Sequence, residues 1–205
     1  MDISAMKGTV SYYDNNASQY FDRTSKVTFD ALYEEFLKYI PARGRIMDLG
    51  CGSGRDVKWF REHGYEAFGL DASERLVQIA RTRFSIPVEV GSIEEWISDE
   101  PYDGIWCCAS LMHLDDMAIE CFLSNLEYNL RPVGAMFISV KEGIETGVDE
   151  AGRYFRDFDE ESLKTFISPY NNLNIEKVWY TEDKLNRNSF RWLNALIIHN
   201  DNSVR

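Results

Sequence analysis

From Phe29 the apolar positions fall at Leu32, Tyr33, Phe36, Leu37 and Ile40, the spacing of one helical face, and Pro41 stops the run. A short apolar segment, residues 45–49, then ends in Gly50-Cys-Gly-Ser-Gly54 and gives way to helical spacing through Trp59 and Phe60, which predicts strand, tight turn, helix. The alternation continues. Residues 66–70 read as a second strand, with a helix opening after Asp71-Ala-Ser73, whose short polar side chains suit an N-cap. Residues 87–90 predict a third strand and 104–108 a fourth. A helix with Ile119, Phe122, Leu123, Leu126 and Leu130 on one face follows, closed by Pro132, and 135–140 makes a fifth strand.

Strands alternating with helices, several of them apolar on both faces, predict a parallel sheet covered on both sides. The tail breaks the rhythm: a helix near 160–167, a strand at 174–180, nine mostly polar residues, then an apolar strand at 190–199. Two strands joined without room for a covering helix are antiparallel neighbours. The expected fold is α/β, a three-layer α-β-α sandwich around a seven-stranded, mostly parallel sheet with an antiparallel last strand at or near an edge. No repeat or linker divides the chain. We therefore expect one domain over 1–205, with 1–43 as a helical extension or lid and 44–205 as the core.

Composition narrows the partners. The 205 residues are 44% hydrophobic and 14% aromatic, enough for a sizeable core and too much for a disordered chain. Against 22 Lys+Arg stand 34 Asp+Glu, a net charge of −12, and no two basic residues are adjacent. Such a chain does not grip nucleic acid or an anionic membrane by broad attraction, so a small molecule is the expected partner. The cysteines, at 51, 107, 108 and 121, form neither a spaced disulfide framework nor a C-x-x-C pattern, and imply a reducing compartment. The first eight residues lack a charged-then-apolar leader, and no apolar run approaches bilayer length. The expectation is a soluble cytoplasmic protein, monomeric or homodimeric.

In open parallel sheets ligands gather at the carboxyl ends of the strands. Gly50, Gly52 and Gly54 let the chain turn sharply there, and Asp71 ends the next strand, where a carboxylate can accept both hydroxyls of a ribose. Together they predict a nucleoside site. A dinucleotide fingerprint reads G-x-G-x-x-G, whereas the spacing here is G-x-G-x-G. Asp48, just inside the strand, would repel a pyrophosphate but suits a ligand that carries an amine. With the reversed last strand, these features count against a nicotinamide-dependent oxidoreductase.

Met47-Asp-Leu-Gly-Cys-Gly-Ser-Gly54 closely resembles the first motif of the class I S-adenosylmethionine-dependent methyltransferases, and Asp71 matches their ribose-binding acid. The resemblance covers nearly the whole chain, because that family's Rossmann-like fold has the seven strands and reversed last strand expected here. It implies that Gly50, Cys51, Gly52 and Gly54 lie against the methionine part of the cofactor, Asp48 near its ammonium, Asp71 on the ribose and Ala72 beneath the adenine. After the third strand the family usually offers an acid to the adenine amino group. This chain has Gly91-Ser-Ile93 there, leaving Ser92 and the backbone of Ile93. Ser110 and Leu111 belong to the stretch that lines the transfer site, and Tyr20 and Arg23, beside the lid segment 12–20, could reach the cofactor's carboxylate.

No D/N-P-P-Y sequence and no Pro-Cys pair follow the fourth strand, which points to the small-molecule branch. Topology brings Lys141, Arg153, Tyr154, Arg191 and Trp192 toward the acceptor mouth, with Tyr13 and His113 completing the expected substrate-binding set. Cations beside aromatics suit an anionic or aromatic acceptor. His113 is either a general base or the cap of a helix that begins near Asp115. His63 and His199 read as solvated, Trp59, Phe60, Trp96 and Trp106 as core, and no metal cluster can be assembled at ligand spacing. The implied activity is methyl transfer by in-line displacement. A catalytically silent cofactor-binding or partner module, and a nucleic-acid or protein acceptor, stand as alternatives.

Overall fold

The computed structural model describes residues 3–183 and 190–200, with 3–6 as backbone only; residues 1–2 of the N-terminus, 184–189 of the polar stretch and 201–205 lie outside the described residues. Three helices come first: α1 (Ile3–Asn15), α2 (Ala17–Thr24) and α3 (Asp30–Leu37). Then β1 (Arg45–Leu49), α4 (Arg55–Glu62), β2 (Glu66–Asp71), α5 (Glu74–Phe84) and β3 (Val88–Val90) follow in strict alternation. Next are β4 (Tyr102–Cys108), a 3-10 turn at Leu111–His113, α6 (Asp116–Ser124), α7 (Leu126–Asn129) and β5 (Leu130–Glu142). A small hairpin, β6 (Gly147–Val148) and β7 (Tyr154–Phe155), precedes α8 (Glu160–Ile167), β8 (Leu173–Thr181) and β9 (Arg191–His199).

The main sheet has the order β3-β2-β1-β4-β5-β9-β8. Neighbours from β3 through β5 pair in parallel, and β9 runs antiparallel to both β5 and β8. The reversed strand is thus second from the edge, with β8 outside it. Side-chain alternation divides the core. From β4, Ile105 and Cys107 join Phe122, Leu126 and Leu163 of α6, α7 and α8, while Trp106 turns to Tyr33, Phe60 and Val77 of α3, α4 and α5. Helices therefore cover both faces, as the doubly apolar strands required.

Local chemistry accounts for several boundaries. The Ser73 hydroxyl accepts from the Leu76 amide and caps α5, and Asp159 closes a capping box at α8. The expected helix through Leu130 breaks after Ser124, resumes as α7 and stops at Asn129, and both Leu130 and Pro132 belong to β5. Tyr102 pairs with Leu130, and the register then slips before Gly104 meets Ala135, with Val133 at φ 63°. His199 also departs from expectation. It is buried, and its Nδ1 lies 2.8 Å from the Leu130 carbonyl, because β9 carries it under the start of β5. Phe60 and Trp106 are fully buried, whereas Trp59 and Trp96 pack against the core from its margin.

Gly54 takes φ 73° where the chain enters α4, and a Cβ there would stand 2.6 Å from Ile86 Cδ1 and 3.0 Å from Ala80 Cβ. Left-handed strain and overpacking add up, so Gly54→Ala is expected to cost about 2–3 kcal/mol and to lower the melting temperature by about 8 °C in a thermal scan. An unchanged melting temperature would show that α4 and α5 give way freely. Among the described residues no helix is long and apolar enough to cross a membrane.

Candidate active site

The glycine loop after β1 lies flush against two other segments. Gly50 has φ 74° and a Cβ on it would sit 2.4 Å from Ser110 Cβ; Gly52 has φ 53° and would meet the Tyr20 ring at 3.0 Å. The Gly50 and Cys51 amides donate to the Leu70 carbonyl, tying the loop to the end of β2. Asp71 is fixed in turn. Its Oδ2 accepts from the Gly52 amide at 2.7 Å and its Oδ1 from the Ser73 amide at 2.9 Å. Each oxygen keeps lone pairs for a further donor. Burial raises the Asp71 carboxyl, and these two amides oppose the rise.

Two cavities open above the strand ends. The larger, about 610 Å³, is lined by Gly50, Gly52, Asp71, Ala72, Ser92, Ile93 and Ser110, and is closed on one side by Thr9, Val10 and Tyr13 of α1. The smaller, about 170 Å³, lies between α2, α3 and the ends of β4, β5 and β9, where Arg23, Arg55, Lys141, Arg153, Phe155 and Trp192 line it. Tyr13, Tyr20 and Ala109 border both. The linings also meet where His113 of the larger packs on Phe155 of the smaller, ring centroids 4.7 Å apart.

His113 is not the cap of α6. Asp115 caps α6 through the Ala118 amide, so the histidine is not needed there. The Tyr154 carbonyl can only accept, so the Nδ1 2.7 Å away carries the proton and Nε2 accepts from the Tyr13 hydroxyl at 2.9 Å. The imidazole holds α1 down across a hundred residues of sequence. Burial lowers its pKa to about 4, against the hydrogen bond to Tyr154, with Arg153 and Lys141 adding to the depression. The unfolded chain then takes up the proton first, so stability falls as the pH drops from about 6.5 toward 4. Between pH 7 and pH 5 this group is expected to cost the fold about 2 kcal/mol, read as the difference in urea unfolding between the native chain and His113→Asn. An identical pH slope in both would remove His113 from this role.

Strand alternation sorts the expected acceptor residues. Lys141 pairs with Trp192 and both face the smaller cavity, whereas Glu142 pairs with Arg191 on the other face. Arg191 therefore misses the mouth, ion-paired to Glu142 and lying over the Tyr180 ring. Arg153 does face the cavity, between the rings of Tyr12 and Phe155, with Asp149 behind it at 2.6 Å. Tyr154 turns outward beside Arg156 and Asp157, and its backbone amide donates to Thr9 Oγ1.

Other corrections concern the cofactor set. Arg23 lines the smaller cavity instead of the larger, and His113 the larger instead of the smaller. Cys51, Gly54 and Leu111 line neither: Cys51 packs under Gly69, Gly54 against α5, and Leu111 in the core. Asp48 is buried beneath the loop with Oδ2 lacking a partner, and burial, followed by the Asp56 charge, raises its carboxyl well above the usual range.

The residues present fit an adenosyl sulfonium ligand. Glycines leave a cradle that a Cβ would fill, Asp71 offers spare lone pairs to a ribose, and Ser110 Oγ is buried without a partner on the cavity wall. Among the described residues no cluster could hold a metal ion.

Two functional candidates escaped the sequence reading. Glu94 lines the larger cavity, is 8% exposed and has its carboxyl raised by burial. It stands two positions beyond Ser92, close to where the family usually offers an acid to the adenine. Arg55 lines the smaller cavity, paired with Asp56 at 3.1 Å. Its signal was its place immediately after Gly54, at the opening of a helix.

A family model described as a methyltransferase domain matches residues 21–181. The chain is 27% identical over 157 residues to a putative methyltransferase, YqeM, of Bacillus subtilis, covering 73% of this chain and 63% of that protein. It is 26% identical over 110 residues to a ubiquinone biosynthesis O-methyltransferase of Xylella fastidiosa, covering 50% and 44%. The chain thus spans less than two thirds of the length of these relatives. Among solved structures, the Burkholderia thailandensis 1,6-didemethyltoxoflavin-N1-methyltransferase bound to 1,6-didemethyltoxoflavin and S-adenosylhomocysteine superposes with a TM-score of 0.73 at 20% identity, over 94% of this chain and 85% of that one. An S-adenosylmethionine-dependent methyltransferase of Clostridium acetobutylicum gives 0.71 at 14% identity, over 91% and 99%, and at these identities the likeness is one of fold. On the match over 21–181, with a seven-stranded sheet whose penultimate strand in space is reversed, the chain belongs to the class I S-adenosylmethionine-dependent methyltransferase family.

Proposed function

We propose that the chain is an S-adenosylmethionine-dependent methyltransferase acting on a small-molecule acceptor of aromatic or anionic character. The cofactor occupies the larger cavity and the acceptor the smaller. One observation carries this reading: the two cavities are neighbours that share Tyr13, Tyr20 and Ala109 in their linings. When bound, S-adenosylmethionine supplies a methyl group made electrophilic by its sulfonium. Asp71 accepts from the ribose hydroxyls, Ala72, Ser92 and Ile93 flank the base, and Gly50 and Gly52 give the methionine part close access to the backbone. Tyr13 and Tyr20 keep water from the junction and hold the acceptor in line, which is where proximity and alignment act on rate.

A silent module would present an exposed apolar patch in place of a second pocket; the enclosed, charged smaller cavity supports turnover. The acceptor named for the Burkholderia protein and the O-methyltransferase relatives support a small molecule. A free, exposed Cys121 suits a reducing, cytoplasmic setting. We read the chain as one unit, in which α1 and α2 form a lid on the core. Titration calorimetry with S-adenosylmethionine and S-adenosylhomocysteine tests the reading, followed by a screen of acceptor metabolites for S-adenosylhomocysteine formation. No binding of either nucleoside by the intact chain would sink it.

A further inference from the structure

The smaller cavity, at about 170 Å³, is near the roughly 150 Å³ that takes up benzene in a protein interior. It admits one ring, and Tyr20, Phe155 and Trp192 offer aromatic walls for it. Its charges are sorted by strand. Lys141, Trp192 and Thr181 lie opposite one another across β5, β9 and β8, so they share a face. In the backbone Lys141 is then one strand spacing, about 5 Å, from the end of β4 where Ala109 stands, and Glu182 and Asp183 follow Thr181 on β8, two strands beyond β5. Asp183 also accepts from the Trp192 indole at 3.0 Å. On the other side Arg55 reaches the same end of β4, its Nη2 3.9 Å from Cys108 Sγ. Arg55 and Lys141 thus stand at the end of β4, Arg23 and Arg153 also line the cavity, and Asp56 and Asp149 lie behind their arginines outside the lining.

Tyr13, Tyr20, Cys108 and His113, the protic side chains at the shared wall, do not supply a base. The Tyr13 hydroxyl is spent on His113, whose other nitrogen is spent on the Tyr154 carbonyl. Burial pushes the Cys108 thiol and the Tyr20 hydroxyl up, so neither gives an anion at neutral pH. A neutral alcohol would have none of these groups to take its proton, whereas an oxyanion needs none.

Resting on the function proposed above, we propose that the acceptor is a single-ring planar compound that arrives as an oxyanion, a carboxylate or an acidic phenol, and that this oxygen, flanked by Lys141 and Arg55, is the atom methylated. The oxygen's lone pair forms the new carbon–oxygen bond as the methyl–sulfur bond breaks, and the electron pair of that bond stays on sulfur. One negative and one positive charge become none, and no proton moves. Because charge is lost on the way to the transition state, a dry aromatic site that solvates ions poorly lowers the barrier relative to water. The cations recover part of the cost of bringing the anion in.

Calorimetry with S-adenosylhomocysteine first establishes the loaded protein. To that complex benzoate and a nitrophenolate are expected to bind at least about tenfold more tightly than benzamide and benzylamine, and Lys141→Met to weaken the anions about tenfold while changing S-adenosylhomocysteine affinity less than about twofold. In turnover, the acid limb of kcat/KM should move with the acidity of the phenol across a series of nitrophenols. A complex that shows no preference for the anions, or a limb fixed at one pH across the series, overturns the proposal and leaves the methyltransferase reading standing. Failure of S-adenosylhomocysteine to bind brings down both.

Discussion

Asp71→Ala is expected to weaken S-adenosylhomocysteine at least a hundredfold in titration calorimetry. Two hydrogen bonds from ribose hydroxyls to a carboxylate are worth about 1.5–3 kcal/mol each, and alanine removes both. It also removes the anchor of the loop, because Gly52 and Ser73 both donate to that carboxylate. Asp71→Asn separates these effects. Its amide oxygen can keep one of the two backbone donors, but its NH2 then faces the other, so the asparagine variant should bind between the native chain and alanine. Ser73 still caps α5 through the Leu76 amide in both variants, so the far-UV spectrum should be unchanged. A loss smaller than tenfold in the alanine variant would mean that the ribose is held elsewhere.

The residues that were legible in the sequence are those whose role is local. Gly50 and Gly52 announce a left-handed turn because no other residue enters it cheaply, and Ser73 announces a cap because its hydroxyl is three residues from the amide it accepts from. The place of Asp71 is legible because it closes an apolar strand, and in an open parallel sheet that puts it at the carboxyl edge beside the glycine loop. What was not legible depends on partners distant in the chain. Leu126 and Leu130 continue the apolar face of α6, and nothing local distinguishes another helical turn from the pairing of Leu130 with Tyr102 that starts β5. Arg191 and Trp192 are neighbours in sequence, and only the register of β9 on β5 decides that the tryptophan faces the cavity and the arginine does not. His113 meets Tyr13 a hundred residues away, so its role as a tether could not be weighed against base or cap.

The same dependence on distant partners makes Asp56 the position where a single change should cost the fold most. Its carboxylate is 3% exposed and accepts from three donors: the Tyr33 hydroxyl of α3, the Trp106 indole of β4 at 3.2 Å and the Arg55 guanidinium of its own helix at 3.1 Å. Asp56→Ala would leave Arg55 without its carboxylate, beside the Cys108 sulfur and the Phe29 ring, with the indole and phenol donors unpaired in the core. Removing one partner of a buried ion pair costs about 3–5 kcal/mol, which for a chain of this size lowers the melting temperature by about 10 °C. Asp56→Asn retains an acceptor for part of this set but leaves the guanidinium charge uncompensated, so it should fall by about half as much. Because Arg55 lines the smaller cavity and not the larger, the asparagine variant should keep its affinity for S-adenosylhomocysteine in calorimetry. A shift below about 2 °C in Asp56→Ala would show that water reaches the network and screens it, and Arg55 would then be a surface cation instead of one held at the acceptor wall.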